Sequence, residues 1–201
     1  MPTRAYSSPI RDAAAADKRA QVIQAAAQLL REGESVTRFS MEAAARSAGV
    51  TRLTVYKQFG SRRGLLEAVF DDVADRGGLT RIAEAMALSD PRAGLDRVVE
   101  IFCGFWSGDR AILRLNDAMM LDPEFEAAVA ERNERRRAVV AVLAERIAPG
   151  ADPQARHDAV DLIFGLTGLA MFKILKEGRT DAEVCGIIKA ACAAALLQLK
   201  V

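Results

Sequence analysis

Apolar residues recur along this chain at the three- and four-residue spacing of a helix face, and no stretch alternates long enough to make a useful β-strand. Val22, Ile23, Ala26, Leu29 and Leu30 mark a first helix over Asp17–Glu32, with Gly33 as its stop. Ser40 has the character of an N-cap for a second helix ending near Ser47. A turn at Ala48-Gly49 separates it from a third, Thr51–Phe59. Ser61 caps a fourth, which turns Leu65, Leu66, Val69 and Phe70 inward and breaks or kinks at Gly77-Gly78.

Further along, Asp90-Pro91, Asp122-Pro123 and Asp152-Pro153 each set a capping carboxylate before a proline at the first helical position. Thr180 with Glu183 forms a capping box. These signals predict helices near 79–88, 91–106, 109–120, 123–147, 153–177 and 181–199. The fold class is therefore all-α, with nine or ten helices. The last two are apolar nearly all round, and such helices need cover on more than one side. A second copy of the chain would supply it, with Gly165, Leu169, Phe172, Val184, Ile187, Ile188, Ala191 and Ala195 expected at a homodimer interface.

Composition narrows the picture. Apolar residues make up 51% of 201, which excludes a disordered chain, and the net charge of +1 conceals an asymmetry. Residues 1–70 hold 11 Lys and Arg against 6 Asp and Glu, whereas residues 71–201 hold 17 against 21. A basic head on a mildly acidic body points to a polyanion at one end only. Residues 1–16, with Arg4 and Arg11, are expected to form a flexible arm. The 3 cysteines do not suit a disulfide framework. Cys185 and Cys192, roughly 10 Å apart along a helix, are too distant to pair, and Cys103 reads as a small buried hydrophobe. The opening residues are polar, and the longest apolar run, Leu162–Phe172, is short of the ~20 residues a membrane helix needs. A cytoplasmic location is expected.

Little suggests catalysis. There is no phosphate-cradling glycine loop, no matched set of Cys or His ligands, and no nucleophile beside a recognisable base. His157, the single histidine, reads as a surface residue near Asp158 and Asp161. The run Arg132–Arg137 reads as a solvated face with Glu131 and Glu134 as partners. No metal, cofactor or enzymatic activity is expected.

The cationic head is more specific. Met41–Ser47, a turn through Gly49 and Thr51–Phe59 make two short helices joined as in a helix-turn-helix. Ala44, Ala45 and Ala48 permit close packing, and Val50 and Val55 can fill the space between the helices. Six cations and one carboxylate, Glu42, lie between Val36 and Arg63. Thr51 at a helix start, and Ser61, Arg62 and Arg63 at the next, favour phosphate there.

The stretch FSMEAAARSAGVTRLTVYKQFGSRRGLLEAVF, Phe39–Phe70, resembles the DNA-binding domain of TetR-type (tetracycline-repressor-like) regulators over about a sixth of the chain. The likeness rests on Ala48-Gly49-Val50, Thr51, Tyr56, Phe59, Ser61-Arg62 and Leu65-Leu66. Gly60 stands where proline is common, Arg62 where lysine is usual, and Leu53 where a small residue is frequent. The resemblance implies a homodimeric regulator, most simply a repressor, that places one helix of each copy in the major groove of a palindromic operator. It implies a head over 17–64 and an effector-binding and dimerisation domain over 65–201. Phosphate contacts are expected from Ser40, Thr51, Tyr56, Lys57 and Arg62, and from Arg38 to a phosphate or the minor groove. Base contacts are expected from Arg52, Leu53 and Thr54.

The resemblance also implies a small effector in the body. Phe102, Phe105, Trp106, Met119, Met120, Phe125 and Phe164 could line an adaptable apolar pocket, with Asn116 and Thr167 as polar contacts. A flat or elongated hydrophobic effector is expected. The helix from Ser61 to Arg76 would act as the lever between body and head. The alternative is a DNA-binding regulator with no small-molecule ligand, switched by a partner protein or by cysteine oxidation.

Overall fold

The computed structural model describes residues 9–199, with side chains from residue 13 onward. They are helical with no strand among them: α1 (Pro9–Glu32), α2 (Met41–Ser47), α3 (Arg52–Phe59), α4 (Arg62–Arg76), α5 (Ile82–Ala87), α6 (Pro91–Gly108), α7 (Ala111–Met119), α8 (Pro123–Ile147), α9 (Pro153–Leu166), α10 (Leu169–Lys176) and α11 (Asp181–Leu196). Short 3-10 turns occupy Val36–Arg38 and Leu79–Arg81. Of the expected arm, residues 9–16 belong to α1, because an alanine run suits a helix interior. Arg4 lies outside the described residues.

The chain forms two compact units, one of residues 1–73 and 110–126, the other of 74–109 and 127–201. In the first unit α1 packs on α2 and α7, and α2 packs on α3. Val22, Ala26 and Leu30 of α1, Ala44 and Ala45 of α2, Val55 of α3, and Leu65, Leu66 and Val69 of α4 are buried. In the second unit α6 packs on α5, α10 and α11, and α9 packs on α10 and α11. Its core includes Val98, Val99, Phe102, Phe105, Leu143, Ile163, Val184 and Ile188.

The caps operate as expected. Asp90 and Asp152 accept from backbone N–H groups at the starts of α6 and α9. Asp122 does the same for Phe125 at the start of α8. Thr180 and Glu183 form the reciprocal capping box of α11. The expected helix over 153–177, in contrast, is two helices, α9 and α10, divided at Thr167-Gly168. The Thr167 hydroxyl donates back to the carbonyls of Ile163 and Phe164, and Gly168 adopts an extended backbone. Such back-bonding competes with the helical ladder. It leaves the Thr167 carbonyl free for other donors.

Phe172, Val184, Ile188 and Ala195, expected at a dimer face, are buried within the chain's own second unit. Gly165 and Ile187 are exposed, and Leu169 and Ala191 are half-buried. Leu162, Ala190, Ala194 and Leu197 share that exposure. The apolar excess of α11 therefore divides into an inner stripe and an outer one, Ile187, Ala190, Ala191, Ala194 and Leu197, at helical spacing.

Candidate nucleic-acid interface

The turn before α3 depends on Gly49, whose φ of +64° places it in the left-handed region that costs other residues about 1–2 kcal/mol. Val50 N–H then donates to the Ala45 carbonyl, and Gln21 of α1 donates to the Ala48 carbonyl, fixing the turn against the first helix. Val55 and Phe59 face the core, and Gln58, half-buried, donates to the Ala15 carbonyl of α1. Thr51, Arg52, Leu53, Tyr56 and Lys57 are exposed, and Thr54 is half-buried. Leu53 is 63% exposed on an otherwise polar face. An apolar group there suits contact with a thymine methyl.

The two capping hydroxyls are already engaged. Ser40 Oγ accepts from Ala43 N–H, and Thr51 Oγ1 accepts from Thr54 N–H. Accepting leaves the hydroxyl proton of Ser40 free to donate to a phosphate oxygen. Thr51 and Thr54 share one hydroxyl hydrogen bond at 2.9 Å, which leaves one of their two protons for an outside acceptor.

Arg52 is held ready rather than loose. Its Nε lies 2.7 Å from Glu42, its Nη2 donates to Tyr56 Oη at 3.2 Å, and its guanidinium sits 5.0 Å from the Tyr56 ring centroid. The Tyr56 hydroxyl, then the Glu42 carboxylate, push its pKa above the ordinary arginine value, so it stays a cation. A base or phosphate must displace Glu42 to use the whole fork.

Arg62, expected at a phosphate, also has partners within the chain. Its Nε donates to the Phe39 carbonyl and its Nη2 to the Val36 carbonyl, with Asp122 3.8 Å away. These bonds tie the 3-10 turn to α4, and Arg62 is half-buried as a result. A guanidinium holding two carbonyls has fewer N–H groups left for the expected phosphate contact. Arg63 pairs with Glu67 and Glu124. Arg38, Arg46 and Lys57 are exposed and form no ion pair among the described residues. Arg46, at the end of α2, was not among the expected contacts, although the count of six cations already included it. Gly60, with φ +72°, occupies a conformation closed to proline, so this turn cannot be the proline-containing one common in similar heads.

The residues expected to bind an effector fall into both units. Asn116, Met119, Met120 and Phe125 belong to the first unit; Met120 is 80% exposed and Phe125 is fully buried. Phe102, Phe105, Trp106, Phe164 and Thr167 belong to the second, where they form one cluster. The Trp106 ring lies 4.6 Å from that of Phe105 and 6.1 Å from that of Phe102, and its Nε1 donates to the Thr167 carbonyl at 2.9 Å. Arg136 enters the same cluster, which corrects the expectation that the whole run Arg132–Arg137 is solvated.

Cys103 and Cys192 are buried and Cys185 is half-buried. Burial, and for Cys103 also the neighbouring Cys185, pushes both buried thiols up to about 12. Thiolate is the oxidisable form, so burial disfavours oxidation of these two thiols. His157 lies on the surface, 3.4 Å from Asp161. Among the described residues no helix is long and apolar enough to cross a membrane, and no three His, Cys, Asp or Glu side chains gather as a metal site would require.

Residues 22–69 match the model of bacterial regulatory proteins of the tetR family. The chain is 31% identical over 113 residues to the HTH-type transcriptional regulator EthR of Mycolicibacterium smegmatis. That match takes in 55% of this chain and 52% of the relative, so it spans about half of that protein's length. A TetR-like transcriptional regulator from Rhodococcus sp. RHA1 is similar in structure, with TM-score 0.69 and 21% identity, over 90% of this chain and 96% of that one. A regulator from Saccharomonospora viridis, solved in complex with choline, gives 0.68 and 16% over 87% and 95%. At those identities the two structures show a shared fold.

Proposed function

We propose that this chain, whose residues 22–69 match the model of the tetR family of bacterial regulatory proteins, is a ligand-responsive repressor of that family. It binds a palindromic operator as a homodimer and is released by a small effector with a large apolar part. The observation that carries the reading is the outward face of α3. Arg52, Leu53, Tyr56 and Lys57 stand on it, behind a capped N-terminus and a left-handed glycine turn.

The division of labour follows the charge. The head, residues 17–64, supplies base contacts from Arg52, Leu53 and Thr54. Phosphate contacts come from Ser40, Thr51, Tyr56 and Lys57, joined by Arg38 and Arg46. Residues 65–201 hold the effector and the dimer contacts. The outer stripe of α11, with Leu162 and Gly165 of α9, supports pairing of two copies, because an exposed apolar stripe of this kind is costly unless covered. The choline complex of the Saccharomonospora regulator supports a small-molecule site in this fold. α4 contributes residues to both units and ends at Arg76 before Gly77-Gly78, which suits it as the lever. A ligand moves such an equilibrium only by binding one state of the lever better than the other.

Selection of bound duplexes from a random pool tests the DNA reading. The expected consensus is an inverted repeat with half-sites about one helical turn or a multiple apart. A consensus without two-fold symmetry, or no enrichment at all, would contradict it.

A further inference from the structure

α8 carries three consecutive arginines with three different fates. Arg135 is exposed. Arg137 pairs with Glu134 and Asp161. Arg136 turns into the second unit and is only 8% exposed. There its Nη1 donates to the Thr167 carbonyl at 2.8 Å, and its guanidinium lies 4.1 Å from the Phe164 ring centroid and 5.3 Å from that of Phe102. Its Nε is buried without a partner. No carboxylate among the described residues pairs with it, and the charge that acts on it is a second cation, Arg137. Burial first, and Arg137 second, hold its pKa down to about 10, so it remains charged at neutral pH.

A buried cation with no anion is an expensive thing to keep. Bracing the chain break does not explain it. The Thr167 carbonyl already accepts from the Trp106 indole, and with Arg136 as its second donor both its lone pairs are used. One bond to that carbonyl employs one of five guanidinium N–H groups. Phe102 and Phe164 offer π-faces, which soften the desolvation without supplying negative charge. What the site lacks is an anion, and what surrounds the lack is aromatic. Trp106 and Phe164 are half-buried, so that side of the cluster is not sealed.

We propose that the second unit recognises a small carboxylic acid, whose carboxylate pairs with Arg136 while its apolar body lies against Phe102, Trp106 and Phe164. A planar fork matches a carboxylate in shape. A single cation in an aromatic collar suits a monoanion with a hydrophobic tail better than a phosphate, which asks for several donors. This inference rests on the reading of the chain as an effector-responsive regulator and adds the chemical class of the effector.

The full chain is titrated with benzoate and octanoate, and in parallel with benzamide and octanamide. The readouts are the emission of Trp106, the sole tryptophan, and the thermal midpoint. Both acids should shift the two readouts, and the amides should not. Arg136→Met keeps an unbranched, helix-compatible side chain and removes the charge. It should weaken acid binding by on the order of a hundredfold, with an unliganded thermal midpoint unchanged or raised. Should that variant fail to fold, Arg136→Gln is read in the same way. The proposal is overturned if the amides bind as tightly as the acids, if a folded Arg136 variant binds the acids as the parent does, or if neutral lipophilic compounds bind while the acids do not. If neither acids nor neutral compounds bind or release DNA, the effector reading itself fails.

Discussion

Phe105→Ala is expected to destabilise the chain by about 3–5 kcal/mol, lowering its thermal midpoint by roughly 6–20 °C. Phe105 is 1% exposed and touches the Trp106 ring, so truncation removes an aromatic contact and leaves a void among α6 and its neighbours. A close-packed interior relaxes only partly around such a void. The loss should be visible in the emission of Trp106, whose indole bond to Thr167 depends on the same packing. Chemical denaturation followed by that emission measures it. Met120→Ala is the control, since an 80% exposed side chain away from any special feature should change stability by no more than about 0.5 kcal/mol. Equal effects of the two substitutions would mean that the aromatic cluster is not a packed core.

The second large effect concerns DNA. Arg52→Ala should weaken binding to a selected operator by about 1–3 kcal/mol per half-site and flatten the preference at one base pair. Lys57→Ala should instead weaken binding to every duplex similarly and reduce the slope of log affinity against log salt by about one per copy. The contrast follows from position on one helix. Arg52 stands at the start of α3, braced by Tyr56 and Glu42 for a directed contact, whereas Lys57, further along the helix, is exposed with no ion-pair partner among the described residues. Affinity measured by fluorescence anisotropy on the operator and on point-mutated operators, at several salt concentrations, separates the two roles. If Arg52→Ala weakened all sequences alike, its side chain would be a phosphate contact and base reading would have to come from Leu53 and Thr54.

The sequence disclosed whatever is settled locally. Three Asp-Pro pairs and the Thr180–Glu183 box declare helix starts through contacts within one turn, and the structure has them all. Gly49 declares the turn through its own backbone freedom. Contacts between distant segments were not legible. The Thr167 carbonyl at the break accepts from Trp106 and Arg136, 61 and 31 residues away, and nothing in the local apolar pattern reports them. Arg136 looked like its neighbours because three successive arginines on a helix point in three directions, and only the packing decides which one turns inward. The structural bonds of Arg62 were hidden because its carbonyl partners, Phe39 and Val36, lie more than twenty residues earlier. On α11 the sequence showed that two apolar faces exist but not which one the chain covers itself.

The most direct test of paired DNA reading is the stoichiometry and affinity of the complex on the selected operator against a duplex carrying one half-site. Sedimentation or native mass spectrometry should find two chains on the whole operator, and the single half-site should bind far more weakly under the same salt. One chain per operator, holding a lone half-site as tightly as the full repeat, would contradict it.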